Sequence, residues 1–146
     1  MTQPPPQQAV LEGLAVRCES ATGPDRHIDY AIAFAVLPHL HRTECSSDLL
    51  KAMGNPKHDI FHCVFDDGVR RYAFAAEAYT ASLDAAMTLV PEGFSWSLYD
   101  VIGKRESVRM WRDEVDVLVS GSTAALALTA ASLRAASLVL DEGEKG

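Results

Sequence analysis

The sequence has few features of secreted, membrane-spanning or DNA-binding proteins. Its only cysteines are Cys18, Cys45 and Cys63, an odd number at irregular spacing that does not predict a disulfide framework. No apolar run approaches the roughly 18 residues needed to span a bilayer, and the N-terminus lacks the basic start and apolar stretch of a signal peptide. With 13 Lys and Arg against 20 Asp and Glu, the net charge is −7. We therefore expect a cytoplasmic protein that binds neither duplex DNA nor an anionic membrane.

Motifs of catalysis are also missing. There is no Gly-x-Gly-x-x-Gly or Walker phosphate loop, and no serine lies in a Gly-x-Ser-x-Gly turn. The nearest approach to a metal site is the segment containing His58 and His62. In a strand these residues lie about 13 Å apart, too far to share one ion, whereas in a helix they would be neighbours. The strand interpretation is favoured, so we predict no enzyme and no cofactor, unless His39 and His41 converge with them on one cleft.

What the sequence does have is enough apolar residues for one core. Of its 146 residues, 48% are hydrophobic, which predicts a single folded domain. We place this domain at residues 9–140, with flexible tails at residues 1–8 and 141–146.

Apolar residues at helical spacing predict four main helices. The third is expected to be capped by Thr80 and to place Met87 inward. The last is apolar almost all round, so it should be largely covered by protein; its one charged residue between positions 120 and 140 is Arg134. A further short helix is predicted at residues 47–53. The main helices are expected at residues 9–20, 24–36, 80–90 and 122–140.

Aromatic and β-branched residues predict five strands. An Asp-Gly turn at residues 66–68 indicates one hairpin, and the connection around residues 103–105 indicates another. In the last strand, Met110 reaches the inward face only if a bulge falls near Asp113. The strands are expected at residues 38–42, 58–65, 69–74, 94–98 and 108–119. The predicted fold class is α/β (α+β): a single-domain sandwich with helices packed on the faces of a four- to five-stranded, mainly antiparallel sheet.

Three stretches of the sequence resemble a family of small phage and prophage proteins, the phage ABA sandwich domain. The first is Thr22–Arg26 followed by Asp29, Ile32 and Ala33; the second is Tyr79–Ala86 followed by Leu89–Gly93; the third is Ala125–Leu128 followed by Ala131 and Leu133–Ala135. The family name implies helices on both faces of a central sheet. Most members are uncharacterised, so the resemblance implies a fold and a phage origin rather than an activity.

A loose group of cations with aromatic neighbours is the candidate ligand site. Arg105, Arg109 and Trp111 share one strand face, and a cation beside an aromatic ring suits a nucleobase with its phosphate. An ordinary solvated hairpin has the same pattern. Arg26 either pairs with Asp29 one helical turn away or holds an anionic group of a ligand. The full candidate set is Arg105, Arg109, Trp111, Arg70, Tyr72 and Arg26.

Two functions follow from these patterns. The first is a non-enzymatic phage accessory protein that binds a small anionic ligand, such as a cyclic nucleotide or an ADP-ribose derivative, and so sequesters a second messenger of host defence. The second is a protein-interaction or structural module in phage assembly or regulation. The second hypothesis predicts an exposed apolar patch on the last helix and no small-ligand pocket. On that helix, Arg134 either pairs with an acid or faces a pocket or subunit seam. The apolar last helix also predicts a homo-oligomer.

Overall fold

The structure, a computed structural model, describes residues 7–36, 40–43, 62–66, 70–74, 76–100 and 105–145. These residues form four helices and six strands. In chain order they are α1 (Gln7–Ser20), α2 (Arg26–Val36), β1 (Leu40–Thr43), β2 (His62–Asp66), β3 (Arg70–Phe74), α3 (Leu83–Met87), β4 (Ser95–Asp100), β5 (Glu106–Arg112), β6 (Val115–Gly121) and α4 (Ala124–Lys145).

The strands form two antiparallel sheets of three strands each. The first sheet has the order β1-β2-β3, and the second has the order β4-β5-β6. The mixed helix and antiparallel-sheet class is therefore as predicted. The prediction of one sheet with four or five strands is wrong, because the N-terminal and C-terminal strands pair only among themselves in the part of the chain described.

A turn divides the segment that was predicted as one long strand. β5 and β6 are paired at Arg112 and Val115 across Asp113 and Glu114, and Asp113 has a φ of 52°. Aspartate tolerates this left-handed region better than most residues, so the chain reverses here without a glycine. The reversal also explains the parity of Met110, which needs no bulge because it lies opposite Val117 on the next strand.

The first sheet agrees with the sequence more closely. β2 and β3 pair from His62 opposite Phe74 to Asp66 opposite Arg70, as the predicted hairpin requires. β1 is the edge strand expected near residues 38–42. The short helix predicted at residues 47–53, and the positions of His39 and His58, lie outside the described residues.

Helix α4 forms the centre of the core. It contacts β5, β6, α1 and α3, and its alanines allow these elements to approach closely. The tightest approach is at Gly121, where an added Cβ would lie 2.8 Å from the backbone nitrogen of Ala127. The expectation that this helix is covered by protein is confirmed. The largest fully buried side chains are Tyr30, Ile32, Val108, Met110, Leu126, Leu128 and Leu133.

The helix ends differ from the predictions in detail. Ser82, not Thr80, caps α3, because its hydroxyl accepts the backbone N–H of Ala85. This shortens the helix and leaves Met87 46% exposed rather than inward. Thr123 caps α4 by accepting the N–H of Leu126. α1 begins at Gln7 and α4 continues to Lys145, so both helices extend into residues assigned to tails; the division into domain and tails stays a prediction.

Thr80 is instead the partner of a buried carboxylate. Asp29 is fully buried in α2, and its Oδ1 accepts both the backbone N–H and the hydroxyl of Thr80 at 2.8 Å. The Thr80 oxygen in turn accepts the N–H of Asp25 at 2.8 Å. The other carboxylate oxygen, Oδ2, accepts Nη1 of Arg26 at 3.0 Å. This network joins the start of α2 to the turn before α3, more than fifty residues away in the sequence.

Removing the Thr80 hydroxyl should weaken this hydrogen-bond network. Thr80→Val keeps the shape of the side chain but leaves Asp29 with one fewer donor and Asp25 N–H without its acceptor. We expect a loss of about 1–3 kcal/mol in the free energy of unfolding, measured by urea denaturation. The matched control Thr80→Ser keeps the hydroxyl and should lose less. Equal losses in the two variants would show that the hydroxyl contributes nothing.

Candidate functional site

The outer face of the second sheet carries two of the predicted ligand residues. We define this face as the residues of β4, β5 and β6 that share one side of the sheet with Arg109 in the strand register, opposite the side that carries the buried Val108, Met110, Val117 and Val119. Arg109 and Trp111 project from β5, and the Arg109 guanidinium lies 5.4 Å from the centre of the Trp111 ring. The sequence therefore placed this cation and aromatic together correctly. The face comprises Ser95, Ser97, Tyr99, Ser107, Arg109, Trp111, Asp116, Leu118 and Ser120.

Arg109 is already occupied by a carboxylate of the same sheet. Its Nε and Nη2 donate to the two oxygens of Asp116 at 3.0 and 2.9 Å, a bidentate pair on the neighbouring strand. The hydrogen bond from Arg109 lowers the pKa of Asp116 below its usual value. The same bond raises the pKa of Arg109. Both groups thus remain charged at neutral pH, and an incoming anion would have to compete with Asp116.

Arg105 is turned away from this pair. Its Nη2 donates to the backbone oxygens of Glu19 at 2.6 Å and Ser120 at 3.2 Å, so the side chain joins the end of α1 to the end of β6. Although strand alternation puts Arg105 on the same side as Arg109, the structure gives it a role in connecting two elements. The three predicted residues of this hairpin therefore do not converge on one anion.

Arg26 also serves the fold. In addition to Asp29, it donates to the backbone oxygen of Ala76 at 2.9 Å, and its guanidinium lies 5.2 Å from the Tyr30 ring centre. This is the salt-bridged alternative weighed for Arg26, now seen at a half-buried position. Arg70 and Tyr72 lie in β3, but their side chains are outside the described part of the structure, so their proposed role in binding stays a prediction.

A groove runs beside β6. It has a volume of about 440 Å³ and is bounded by the edge of β6, by α1 and by α4. On its wall Arg134 pairs with Glu19, with Nε 3.0 Å from the carboxylate oxygen. Arg134 thus does both things the sequence allowed, pairing with an acid and facing a pocket. We call this the β6 groove; its lining residues are Glu12, Glu19, Asp116, Val117, Leu118, Arg134 and Leu138.

A second groove, about 420 Å³ in volume, lies between α1 and α2. Its lining is mostly apolar, and Arg17 is its one charged member. Arg26, Arg105, Arg109 and Trp111 line neither this groove nor the β6 groove. Where the side chains are described, the candidate anion ligands therefore lie outside both grooves.

No group of three or more His, Cys, Asp or Glu side chains suited to a metal ion occurs within the described ranges. The described cysteine, Cys18, is a core residue of α1. Burial, together with the negative charge of Asp29, raises the pKa of its thiol to about 12. Because the thiolate is the reactive form, this thiol is a poor nucleophile at neutral pH.

Sequence reasoning missed two members of the outer face. Tyr99 is 40% exposed and Leu118 is 66% exposed, and with Trp111 at 37% they give this face three large accessible side chains. The alternation of side chains along β4 and β6 was the signal that could have identified these two residues, but the sequence predicts β6 only as part of a longer strand. The predicted apolar patch on the last helix is absent from residues 125–133, which are buried, whereas Leu138 and Leu140 are each 38% exposed.

Comparison with known proteins adds no relative: no protein-family model, curated protein or solved structure matches this chain. Within the described residues, none of the helices combines the length and apolar character required to cross a membrane.

The buried thiol gives a direct test of the α1 packing. At pH 8 we expect Cys18 to resist N-ethylmaleimide in the folded protein and to react readily in urea, because its pKa near 12 leaves almost no thiolate. Peptide mass mapping separates Cys18 from Cys45 and Cys63. Labelling of Cys18 in the folded protein at the rate found in urea would contradict its burial.

Proposed function

We propose that the protein is a non-enzymatic interaction module that binds another protein through the outer face of its second sheet. The observation that carries this proposal is the exposure of Tyr99, Trp111 and Leu118 on one face. Aromatic residues beside an arginine are the composition that protein interfaces favour, and tryptophan and tyrosine supply much of the binding energy in such surfaces. The partner on this proposal is a protein with an apolar patch.

The charged pair on this face supports a protein partner over a small anion. Arg109 and Asp116 neutralise each other, so the face has little net attraction for a phosphate. An ion pair at the margin of an apolar patch instead contributes orientation and specificity. Arg105 and Arg26, the other described cations of the predicted site, are bound by protein oxygens.

Substitutions on the outer face test this function. Leu118→Ser and Trp111→Ala remove exposed side chains and should leave the fold intact, as judged by urea denaturation. Proteins captured from cell extract by the immobilised protein should include one whose binding falls more than tenfold in both variants. The matched control is Met87→Ser, which alters an apolar residue on α3 whose exposure, 46%, lies between those of Trp111 and Leu118, and should retain that protein.

Three results of this experiment lead to different conclusions about the partner. A captured protein that all four forms retain equally is not the partner. A wild-type dimer in sedimentation that Leu118→Ser separates identifies the partner as a second copy of the chain. If the wild type stays monomeric and captures nothing that depends on Leu118 and Trp111, the proposed function is wrong.

A small anionic ligand is the second candidate, favoured by the stacking of Arg109 on Trp111. A nucleotide would stack its base on Trp111 while its phosphate displaces Asp116 from Arg109. Sequestration of a host-defence messenger and a phage origin belong to this candidate and stay predictions.

Native mass spectrometry tests this second candidate. With a panel of cyclic nucleotides and ADP-ribose derivatives, we expect a bound mass that is lost in Arg109→Ala, because the phosphate loses its cation. It should persist in Arg17→Ala, which removes the same charge from an exposed position on α1. An unchanged protein mass with every compound would remove the candidate.

A further inference from the structure

Strand β6 lies at one edge of the second sheet. Among the described strands, β6 pairs only with β5. Its sequence from Val115 to Val119 alternates valine with Asp116 and Leu118, a composition with high β propensity. Edge strands of this kind present unpaired backbone groups, and proteins commonly protect them with lysine, proline or a bulge. The described β6 has no lysine, proline or bulge, although α1 contacts part of it.

Space for an added strand exists beside this edge. The β6 groove of about 440 Å³ opens along residues 116–118 and is bounded on the opposite side by α1 and α4. A strand in this position would direct alternate side chains inward, toward Glu12 and Leu138, and outward, beside Leu118. Leu138 is 38% exposed, so apolar surface is available on both sides of the added strand.

The charges of the groove select the occupant. Three carboxylates, those of Glu12, Glu19 and Asp116, line it together with the guanidinium of Arg134. Asp116 is already paired with Arg109. Arg134 is held by Glu19, whereas Glu12 accepts only a hydrogen bond from the neutral Ser137 hydroxyl at 3.1 Å among the described residues. The groove therefore favours a cationic side chain, and Glu12 is the carboxylate best placed to receive it.

The same charges disfavour a second copy at this edge. In a two-fold pairing of β6 with β6, each copy presents the same surface to the other. The acidic groove of one chain would then meet the acidic groove of its partner, in a protein whose net charge is already −7. Like charges brought together in this way oppose association.

We propose that β6 is the docking edge for an extended basic segment of the protein partner, which adds to the second sheet as a fourth strand. The inference rests on the proposed function and specifies the partner's chemistry. Backbone hydrogen bonds to β6 provide affinity, and inward lysine or arginine side chains facing Glu12 provide selectivity. Apolar residues of the segment alternate with these cations and lie beside Leu118, at the margin of the outer face.

A synthetic peptide tests this edge with the full-length protein. The probe is the blocked heptapeptide Val-Lys-Val-Lys-Val-Lys-Val, and its acidic counterpart has glutamate in place of lysine. We expect the basic peptide to bind and to slow amide hydrogen exchange in β6, with little effect of the acidic peptide. Glu12→Lys should weaken binding about five- to tenfold, because an attraction is replaced by a repulsion.

Glu92→Lys is the matched control, since it makes the same change of charge at an exposed position remote from the groove lining. It should leave the peptide affinity unchanged. The proposal would be overturned if the basic peptide left amide exchange in β6 unaltered or if the acidic peptide bound equally well. It would also be overturned if Glu12→Lys and Glu92→Lys changed the peptide affinity equally. If the captured partner still depends on Leu118 while the peptide fails, only the edge is refuted. If no captured protein depends on Leu118 and Trp111 and the wild type stays monomeric, the proposed function itself is refuted.

Discussion

The buried carboxylate of Asp29 connects helix α2 to the turn before α3. A carboxylate taken out of water is costly unless its oxygens are satisfied, and here the Thr80 N–H, the Thr80 hydroxyl and Arg26 supply the donors. This arrangement fixes the start of α2 against the turn before α3. A second hydrogen bond, from the Thr129 hydroxyl to the backbone oxygen of Tyr79 at 3.0 Å, fixes the same turn to α4.

Because polar side chains form these contacts within the fold, fewer of them are available to bind a ligand. Arg26 is committed to Asp29, Arg105 to backbone oxygens and Arg134 to Glu19. These cations are therefore parts of the framework. The second sheet nevertheless exposes Tyr99, Trp111 and Leu118 beside the paired Arg109 and Asp116, so the proposed activity is association with another protein.

Local patterns in the sequence predicted the main helices and the hairpin of β2 and β3, because spacing and turn residues determine them. Two kinds of feature were not predictable in this way. The turn at Asp113 lacks glycine, so the sequence there reads as continuous strand. Thr80 is a residue type that commonly caps helices. Its partner Asp29 is remote in the sequence, and only folding brings the two residues together. The division into two sheets depends on the same kind of distant pairing.

The position of β6 at the edge of the second sheet has a consequence for the behaviour of the protein at high concentration. A β-prone segment with an open edge is a template on which copies can stack into fibrils. The charge of −7 keeps copies apart in dilute neutral solution. Acidification neutralises carboxylates and salt screens them, while the edge itself is unchanged. The solubility of this chain at high concentration therefore depends on its carboxylates. A partner strand bound to β6 would prevent other copies of the chain from stacking on that edge.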